Sequence, residues 1–498
     1  MAPPTDSVEL FTWSNSYTHL PDRFFARVSP TPVAAPRWIR RNEEFAKQLG
    51  LDPDALLTDA ALEILSGNHV PENGDPISMA YAAHQFGHFV PQLGDGRAIL
   101  LGEILDSTGD RFDIQLKGSG RTPFSRRGDG RAALGPVLRE YILSEAMAAL
   151  GIPTTRALAA LTTGETVWRE TPSHGAIFVR VARSHIRIGT FQYFAARRDA
   201  EGVRLLADHV IERHYPECAE APNRYRALLD TVIRRQAELI AQWMLVGFIH
   251  GVMNTDNMAV SGETIDYGPC AFMDGYNPQM VYSSIDSTGR YAYGNQPNIA
   301  LWNLTRLAET LLSLLSDEET AAIKEAEAAL EMFSPQFEAS WLAGMRRKLG
   351  LSQEHADDLK LAQDLLDGMA ANKADFTLTF RGLCDAAVDA DGVQAVRSLF
   401  AGPDAFDAWL VRWRNRLAEE GCDTEVRRRS MRSANPLFIP RNHLVQEAIA
   451  AAESSGDYRP FETLLTVLSR PYEDQPGFER YTLPPRPEQI VRYTFCGT

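Results

Sequence analysis

Cysteine is scarce in this sequence and is nowhere clustered. The 498 residues contain five cysteines, which are Cys218, Cys270, Cys384, Cys422 and Cys496. None of them belongs to a Cys-x-x-Cys pair, which argues against a cysteine zinc site and against the disulfide framework of a small secreted protein. Thiols spaced in this way suit a reducing compartment, and we expect a cytoplasmic protein.

Long apolar runs are also missing. The longest run, residues 239–249, is interrupted by Gln242 and is too short to cross a bilayer. The opening residues, MAPPTDSVELF, have neither the basic region nor the apolar region of a signal peptide. We therefore expect neither a membrane partner nor a secreted product.

Basic residues are outnumbered by acidic ones. The sequence has 50 Lys and Arg against 65 Asp and Glu, a net charge of -15. Proteins that bind nucleic acid usually present a basic face, so nucleic acid is not an expected partner of the whole chain. Hydrophobic residues make up 44% and charged residues 23%, as in globular proteins, and this length predicts two or three packed lobes.

The order of patterns along the chain predicts an α+β fold with four segments. Residues 1–75 are Pro-rich, with a helical stretch near 36–51, and PTPVAAP at 30–36 is either an extended arm or a simple linker. Residues 76–190 form a small β-rich lobe, in which DSTGD joins two strands as a hairpin and ALGPVLREYILSEAMAALG is a helix. Residues 191–469 form a larger helical lobe, and residues 470–498 form an extended Pro-rich tail.

Two features of the β-rich segment suit phosphate binding. The turn Gly94-Asp95-Gly96-Arg97 can bring backbone N–H groups close to phosphate oxygens, although a plain hairpin turn has the same composition. Lys117 ends the strand FDIQLK, where a lysine either reaches phosphates or is merely solvated. Glu140 and Glu145 on the next helix are the available ion-pair partners, and we prefer Glu140.

The strongest chemical signal lies farther along the chain. The long helix TVIRRQAELIAQWMLVGFIH runs into the loop HGVMNTDNM, and AVSGETIDYGP then predicts a short strand pair. Phosphotransferases of the kinase type carry H-x-D-x-x-x-x-N followed by D-F-G, and here His250 to Asn257 is followed by Asp266-Tyr267-Gly268. Asn257 and Asp266 carry oxygens that suit Mg²⁺ or Mn²⁺ beside phosphates. The alternative is a polar hairpin.

One position departs from the kinase pattern. The catalytic aspartate of a kinase falls at position 252, where this chain has Val252, which cannot accept a proton. Asp256, next to Asn257, is the carboxylate that this loop does contain, and it is our candidate base.

Cations are concentrated in KGSGRTPFSRRGDGR and FVRVARSHIR. Seven of these cations are candidates for phosphate binding: Lys117, Arg121, Arg126, Arg127, Arg131, Arg180 and Arg187. Such a cluster either neutralises a polyphosphate or is a solvated basic face. His84 and His88 have a spacing that suits a metal, but no third ligand lies nearby in sequence, so we favour a structural role.

Together these segments closely resemble the selenoprotein O family, whose bacterial members are called YdiU proteins. The resemblance runs over nearly the whole chain through NSYTHLP, PTPVAAP, QLGDGR, QLKGSGRTPFSRRGDGRA, HGVMNTDNM, IDYGP, SSIDSTGRYAYGNQP and NPLFIPRNH. It implies a two-lobed protein-kinase-like fold that binds ATP in a flipped orientation. The implied reaction transfers AMP to Ser, Thr or Tyr hydroxyls of proteins and releases pyrophosphate, with UTP as an alternative donor.

The resemblance also implies roles for particular residues. The implied nucleotide contacts are Gly94, Gly96, Arg97, Lys117, Asp129, Gly130, Arg180, Arg187 and Asp266. Asn257 and Asp266 resemble the metal ligands, Asp256 the proton acceptor, and Glu140 the partner of Lys117. Cys496 fills the place of a C-terminal redox residue, with Cys270 as the nearest candidate partner, and two free thiols are the alternative.

Two rival functions stay open on the sequence alone. The first is an ordinary ATP-dependent kinase, which Val252 disfavours. The second is a nucleotide-binding scaffold without activity, which the retention of Lys117, Asn257 and Asp266 disfavours.

Overall fold

The computed structural model describes residues 10–495, which form a mixed α/β structure with an antiparallel sheet and a helical C-terminal part. The strands are β1 Phe25–Arg27, β2 Arg37–Arg41, β3 Ile77–Met79, β4 Ala83–Gln85, β5 His88–Val90, β6 Ala98–Leu105, β7 Arg111–Lys117, β8 Ala132–Ala133, β9 Arg156–Trp168, β10 Pro172–Ala182, β11 Phe248–Ile249 and β12 Ala271–Phe272.

The helices are α1 Glu43–Gln48, α2 Asp59–Leu65, α3 Leu134–Ala149, α4 Ile188–Ala196, α5 Ala200–His214, α6 Arg224–Val246, α7 Gln296–Leu315, α8 Glu319–Leu330, α9 Phe333–Leu349, α10 Asp358–Asn372, α11 Phe376–Ala386, α12 Ala390–Arg397, α13 Asp404–Glu419, α14 Thr424–Ala434, α15 Asn442–Ser455 and α16 Arg459–Leu468. Within residues 10–495, no helix combines the length and the apolar character that crossing a membrane requires.

The main sheet has the strand order β1-β3-β6-β7-β10-β9-β2, with β8 added to β10. Each pair of neighbours is antiparallel. The predicted hairpin is confirmed, since β6 and β7 pair from Ala98↔Lys117 to Leu105↔Arg111 around the turn at 106–110. Lys117 therefore ends a central strand, beside Phe178 of β10 on its other side.

Alternation along the central strands sorts their side chains between two layers. Ile114 and Leu116 of β7 belong to one apolar core, which is completed by residues of α1 and α2. Because successive strand residues point to opposite faces, Gln115 and Lys117 lie on the other face, with Phe178 and Arg180 of β10. That face packs against α3, which joins the second apolar core, shared with the C-terminal helices.

Both edges of the sheet come from the N-terminal segment. β1 pairs with β3, and β2 pairs with β9 from Arg37↔Thr162 to Arg41↔Ala159. The helix predicted near 36–51 is therefore wrong in its first half, where Arg37–Arg41 is a strand. The helix starts only after Asn42, whose side chain accepts a hydrogen bond from the backbone N–H of Phe45 at 3.2 Å.

The arm PTPVAAP crosses the edge of the β-rich region. The backbone N–H of Thr31 donates to the Ser119 carbonyl at 2.8 Å, and that of Ala35 donates to the Thr163 carbonyl at 3.0 Å. These bonds confirm the extended arm and exclude a free linker.

The segment after the long helix differs from the expected strand pair. α6 ends at Gly247, and β11 pairs with β12 rather than with any part of AVSGETIDYGP. Within residues 259–269 the structure has no strand: Ala259 bridges Arg187, and Thr264 bridges Thr154. The prediction was wrong because the backbone of this segment pairs with the β-rich region instead of folding back on itself.

The tail after residue 470 has no regular strand or helix beyond short 3₁₀ turns, within the part that the structure describes. It runs back across the molecule, so that Thr494 bridges Ser283 and its hydroxyl donates to the Pro269 carbonyl at 2.7 Å. The tail therefore lies directly against the segment that follows Asp266.

A buried carboxyl outside the cleft makes stability depend on pH. Burial raises the pKa of Glu263 to about 7. A carboxyl with a raised folded pKa stabilises the fold at low pH, and that contribution is lost as the pH rises through about 7. Glu263→Gln stays neutral and keeps an oxygen acceptor for Ser261 and Arg183.

We therefore expect Glu263→Gln to raise the unfolding free energy by about 2–3 kcal/mol at pH 8 and by less than about 1 kcal/mol at pH 5. Urea unfolding at both pH values measures this, with the exposed Glu44→Gln as the control. An equal change at the two pH values would contradict the prediction.

Candidate functional site

The residues predicted to carry chemistry meet around one cleft of about 750 Å³. Its walls come from the Gly-rich turn, the ends of β7 and β10, α3, the loop 121–131 and the loop 250–257. The sequence-predicted residues that line it are Gly94, Gly96, Arg97, Lys117, Asp129, Gly130, Glu140, Arg180, Arg187, Asp256, Asn257 and Asp266.

An ion-pair network joins the sheet, α3 and Asp266. Lys117 Nζ lies 2.5 Å from Glu140 Oε2 and 3.1 Å from Asp266 Oδ1. Arg180 donates to the same two carboxylates, with Nη1 at 3.2 Å from Glu140 Oε1. The preferred partner of Lys117 is thus Glu140, whereas Glu145 instead pairs with Arg156 at 2.8 Å.

Asp266 is ionised and is held in an unusual backbone conformation. Burial alone raises the pKa of this carboxyl, but the charges of Arg180, Lys117 and Arg187 outweigh burial and hold the pKa well below its usual range. Its φ is 63°, in the left-handed region that aspartate tolerates better than most residues. The backbone thus turns this side chain toward three cations.

Arg187 connects the Asp266 carboxylate to the backbone of Asp256. Its Nη1 donates to Asp266 Oδ2 at 3.1 Å and to the Asp256 carbonyl at 2.9 Å. Its guanidinium carbon lies 4.6 Å from the centre of the Tyr81 ring. Nη2 is buried, lies 3.9 Å from Asp95 Oδ1 and donates no hydrogen bond within residues 10–495.

The loop 250–257 is built around a buried histidine. His250 stacks on Trp243, and its Nε2 contacts the Ile265 carbonyl at 2.9 Å. Asn257 donates from Nδ2 to the Val252 carbonyl at 2.8 Å. This bond uses only the amide nitrogen, so Oδ1 can still accept a hydrogen bond or bind a metal. The Val252 side chain lines the cleft but offers no polar atom.

Asp256 is the loop carboxylate that faces the cleft. Gln85 Nε2 donates to its Oδ2 at 3.1 Å, while its buried Oδ1 accepts no hydrogen bond from the described residues. Burial raises the pKa of Asp256 to about 6, although Arg187 opposes this shift. Oδ1 is therefore an acceptor without a partner in a site where a proton acceptor is expected.

The Gly-rich turn is not a hairpin turn. It connects β5 to β6, which belong to different sheets. A Cβ on Gly94 would lie 2.4 Å from the Phe124 ring, and one on Gly96 would lie 2.9 Å from the Phe124 carbonyl. Only glycine fits there, because the loop 121–131 closes directly over the turn.

This chain is similar to known proteins over almost its whole length. The family model described as Protein adenylyltransferase SelO matches residues 8–469. The chain belongs to the SelO family.

Named relatives of this SelO family chain are similar over almost their whole length. A Protein nucleotidyltransferase YdiU from Bradyrhizobium sp. strain BTAi1 is 65% identical over 488 residues, which cover 98% of this chain and 99% of the relative. Proteins of the same name from Rhodopseudomonas palustris strain BisB18 and Methylorubrum extorquens strain PA1 are each 64% identical, with 98% of this chain and 99% of each relative covered.

The basic loop of this SelO chain has two kinds of arginine. Arg131 is used structurally, since it donates to the carbonyls of Thr31 and Pro32 at 3.0 Å each. Arg121, Arg126 and Arg127 are exposed and line the cleft. In this loop, Arg131 therefore has a structural role, whereas Arg121, Arg126 and Arg127 remain accessible to an anionic ligand.

Asp129 and Gly130 shape this basic loop. Asp129 pairs with Arg169, whose Nη1 lies 2.9 Å from Oδ2, a contact that the sequence did not indicate. Gly130 has φ 70°, and a Cβ there would lie 2.0 Å from the Gly120 carbonyl. The two ends of the loop are therefore in direct backbone contact.

Three residues near the site escaped the sequence analysis. Gln115 accepts from Arg180 Nη2 at 2.6 Å and donates to Asp95 Oδ2 at 3.3 Å, and Asp95 Oδ1 lies 3.9 Å from Arg187 Nη2. Gln85 contacts Asp256 from the hairpin β4–β5. Asp95 lies inside the recognised Gly-rich turn, but no sequence pattern distinguished Gln85 or Gln115 from ordinary strand residues.

The histidine pair and the cysteines lie apart from these contacts. His84 contacts Gln192 at 2.7 Å and meets the Trp302 ring edge-on, whereas His88 is exposed at the hairpin turn. No group of three metal-binding side chains of the His, Cys, Asp or Glu type occurs in the described part of the chain. Cys270 is buried, and Cys496 lies outside the described residues, so their pairing stays a prediction.

The donor set fits a divalent cation bound together with phosphate. Asp266 uses three of its roughly four acceptor positions on Lys117, Arg180 and Arg187, which leaves one for a metal. Asn257 Oδ1 is a second oxygen donor of the type that Mg²⁺ and Mn²⁺ accept. Two protein ligands are few, but Mg²⁺ sites commonly take their remaining ligands from substrate phosphates and water.

Proposed function

We propose that this protein transfers AMP from ATP to Ser, Thr or Tyr hydroxyls of other proteins and releases pyrophosphate. The observation that carries the proposal is the place of Asp256, which lines a cleft together with Asn257, Asp266 and an accessible arginine cluster and whose buried Oδ1 accepts no hydrogen bond from the described residues. The family description, Protein adenylyltransferase SelO, agrees with it.

In the proposed step the acceptor hydroxyl oxygen forms a bond to the α-phosphorus of ATP, and the bond from that phosphorus to the α,β-bridging oxygen breaks. The hydroxyl proton passes to Asp256 Oδ1, and pyrophosphate leaves. Buried in the cleft and oriented by Gln85, Asp256 supplies general-base assistance.

The cations of the cleft support a nucleotide whose β- and γ-phosphates lie away from the acceptor. In this proposal Lys117, Arg180 and Arg187 neutralise the phosphates beside Asp266, and Arg121, Arg126 and Arg127 close over the outer end. Gly94, Gly96, Arg97, Asp129 and Gly130 complete the nucleotide pocket. A metal held by Asn257 and Asp266 would supply charge neutralisation at the transferring phosphate.

The proposal includes a kinase-like arrangement of two lobes. Residues 76–190 supply the β-rich lobe and residues 191–469 the helical lobe, with extensions at 1–75 and 470–498. The contents of the cleft support this division, since one wall comes from the sheet and α3 and the other from the loop after α6. ATP and hydroxyl-bearing proteins are the proposed partners, and the scattered cysteines favour the cytoplasm.

The deciding experiment compares ATP labelled at the α- or γ-phosphate in the presence of Mg²⁺ and a protein acceptor. We expect α-label on protein and none from the γ-position. Protein carrying the γ-label would favour a kinase, whereas nucleotide binding without any transfer would favour a scaffold. Intact mass spectrometry of the enzyme after incubation with ATP or UTP adds a direct reading of self-modification and of donor choice.

Lys117 tests the nucleotide side of the proposal. Lys117→Met is expected to lower AMP transfer about 10–100-fold, because a cation beside the phosphates is lost. The fold should survive with a loss below about 2 kcal/mol, since Arg180 still pairs with both Glu140 and Asp266. Turnover and melting temperature are measured together, with the exposed Lys47→Met as the control.

A large fall in melting temperature with unchanged specific activity would make Lys117 a structural residue. That outcome would not affect the separate α-label experiment, which shows whether AMP is transferred.

A further inference from the structure

The hairpin β4–β5 is hydrogen-bonded to residues 254–256 of the loop 250–257. The His84 backbone N–H donates to Thr255 Oγ1 at 2.7 Å, and the Phe86 backbone N–H donates to Asn254 Oδ1 at 3.0 Å. Between them, Gln85 Nε2 donates to Asp256 Oδ2 at 3.1 Å. Three consecutive hairpin residues thus hold three consecutive loop residues.

The hairpin is itself fixed at its base and at its turn. The Ala82 backbone N–H donates to the Gly189 carbonyl at 2.9 Å, at the start of α4. Phe86 adopts φ 51° at the turn, a conformation unfavourable for a bulky residue, and there its N–H also meets the Tyr291 hydroxyl at 3.2 Å. The strained turn therefore lies where the hairpin contacts the loop 250–257.

Gln192 of α4 closes the arrangement from the far side. It accepts from the Thr255 hydroxyl at 2.6 Å, and its amide contacts His84 Nδ1 at 2.7 Å. Hairpin, helix and loop are thereby joined through side chains that are mostly out of solvent. Asn254 and Thr255, which precede Asp256, are thereby held to the hairpin.

We propose that Gln85 is a positioning residue that orients the Asp256 carboxylate. The inference rests on the proposed function, in which Asp256 accepts the proton. By engaging Oδ2, Gln85 fixes the plane of the carboxylate and leaves Oδ1 without a hydrogen-bond donor among the described residues. A neutral amide achieves this without adding a charge beside the transferring phosphate.

A cation at position 85 would compete with the metal and the arginines for the polyphosphate. An apolar residue there would donate no hydrogen bond, so the Asp256 carboxylate could rotate. The requirement is a neutral hydrogen-bond donor of this length on a rigid hairpin. Gln85 therefore acts through Asp256 and has no predicted contact with ATP or with the acceptor.

A double-mutant cycle tests this dependence. The four enzymes are wild type, Gln85→Met, Asp256→Asn and the double variant, each assayed for kcat and for KM with α-labelled ATP. Methionine keeps the length of glutamine but cannot donate a hydrogen bond. We expect Gln85→Met to lower kcat about 10-fold. The KM for ATP and the KM for the protein acceptor should both stay within about two-fold of wild type.

In the Asp256→Asn background the same change should cost less than about two-fold, because the group that Gln85 orients is already disabled. His88→Ala, on the same hairpin but exposed, serves as the matched control and should leave kcat unchanged. Gln85→Ala is assayed in parallel, so that poor folding of one variant does not end the test.

Equal losses in the two backgrounds would overturn the inference, and so would a change confined to KM. A different result would count against the proposed function instead: Asp256→Asn with wild-type kcat would remove Asp256 as the base. The two failures are therefore distinguishable in one set of measurements.

Discussion

Asp266→Asn is expected to lower AMP transfer by about 10³-fold or more. The substitution removes the one anionic ligand of the proposed metal and the charge that faces three cations. Asparagine is preferred to alanine because it tolerates the left-handed backbone at this position. ATP should still bind weakly through the arginines.

The same variant should be less stable. Lys117, Arg180 and Arg187 lose a shared counter-charge, and uncompensated buried charge costs about 3 kcal/mol. Turnover is measured at a temperature at which both proteins are folded, with urea unfolding alongside. Asp457→Asn, which removes a surface partner of Arg459, is the control and should change neither quantity. Near-normal labelling by Asp266→Asn would mean that the metal lies elsewhere.

Asp256→Asn is expected to lower AMP transfer about 10²–10⁴-fold, the range typical of a lost general base. The amide keeps the shape of the carboxylate but cannot accept the hydroxyl proton. The affinity for ATP, measured by nucleotide-dependent thermal shift, should change little, since Asp256 is not assigned to the nucleotide. Retained kcat in this variant would exclude Asp256 from proton transfer.

Val252→Asp supplies the converse test at the position where a kinase has its base. The side chain lines the cleft, so a carboxylate there would be near the phosphates. We expect no γ-label on protein and an AMP transfer rate that is unchanged or lower, because the added charge repels the polyphosphate and has no proton to collect. Transfer of the γ-label by Val252→Asp would contradict the flipped orientation.

Local patterns predicted elements whose partners lie close in sequence. The β6–β7 hairpin and α3 were recognisable because alternation, the turn DSTGD and a long helical periodicity agree with one another. Lys117 and Asp266 were both expected at the nucleotide site because each sits in a recognisable motif, but their direct contact was not predicted. Glu140 was chosen correctly over Glu145 as the partner of Lys117.

Elements that depend on distant partners were misread. Arg37–Arg41 lies next to a true helix, and only pairing with β9, more than a hundred residues later, makes it a strand. AVSGETIDYGP has the composition of a hairpin, but its backbone bridges Arg187 and Thr154. Gln85 and Gln115 gave no signal at all, because the role of a neutral amide depends on which carboxylate or arginine lies beside it.

The placement of β1 and β2 at opposite edges of the main sheet has a consequence for the order of folding. During synthesis these strands emerge early, but β2 finds its partner only after residues 159–162 have left the ribosome. The edge of β7 stays unpaired still longer, until residues 178–182 of β10 have emerged, and other chains can add there by backbone pairing. Slow, non-local closure of this kind makes the nascent β-rich region, rather than the helical part, the stage at which aggregation competes with folding.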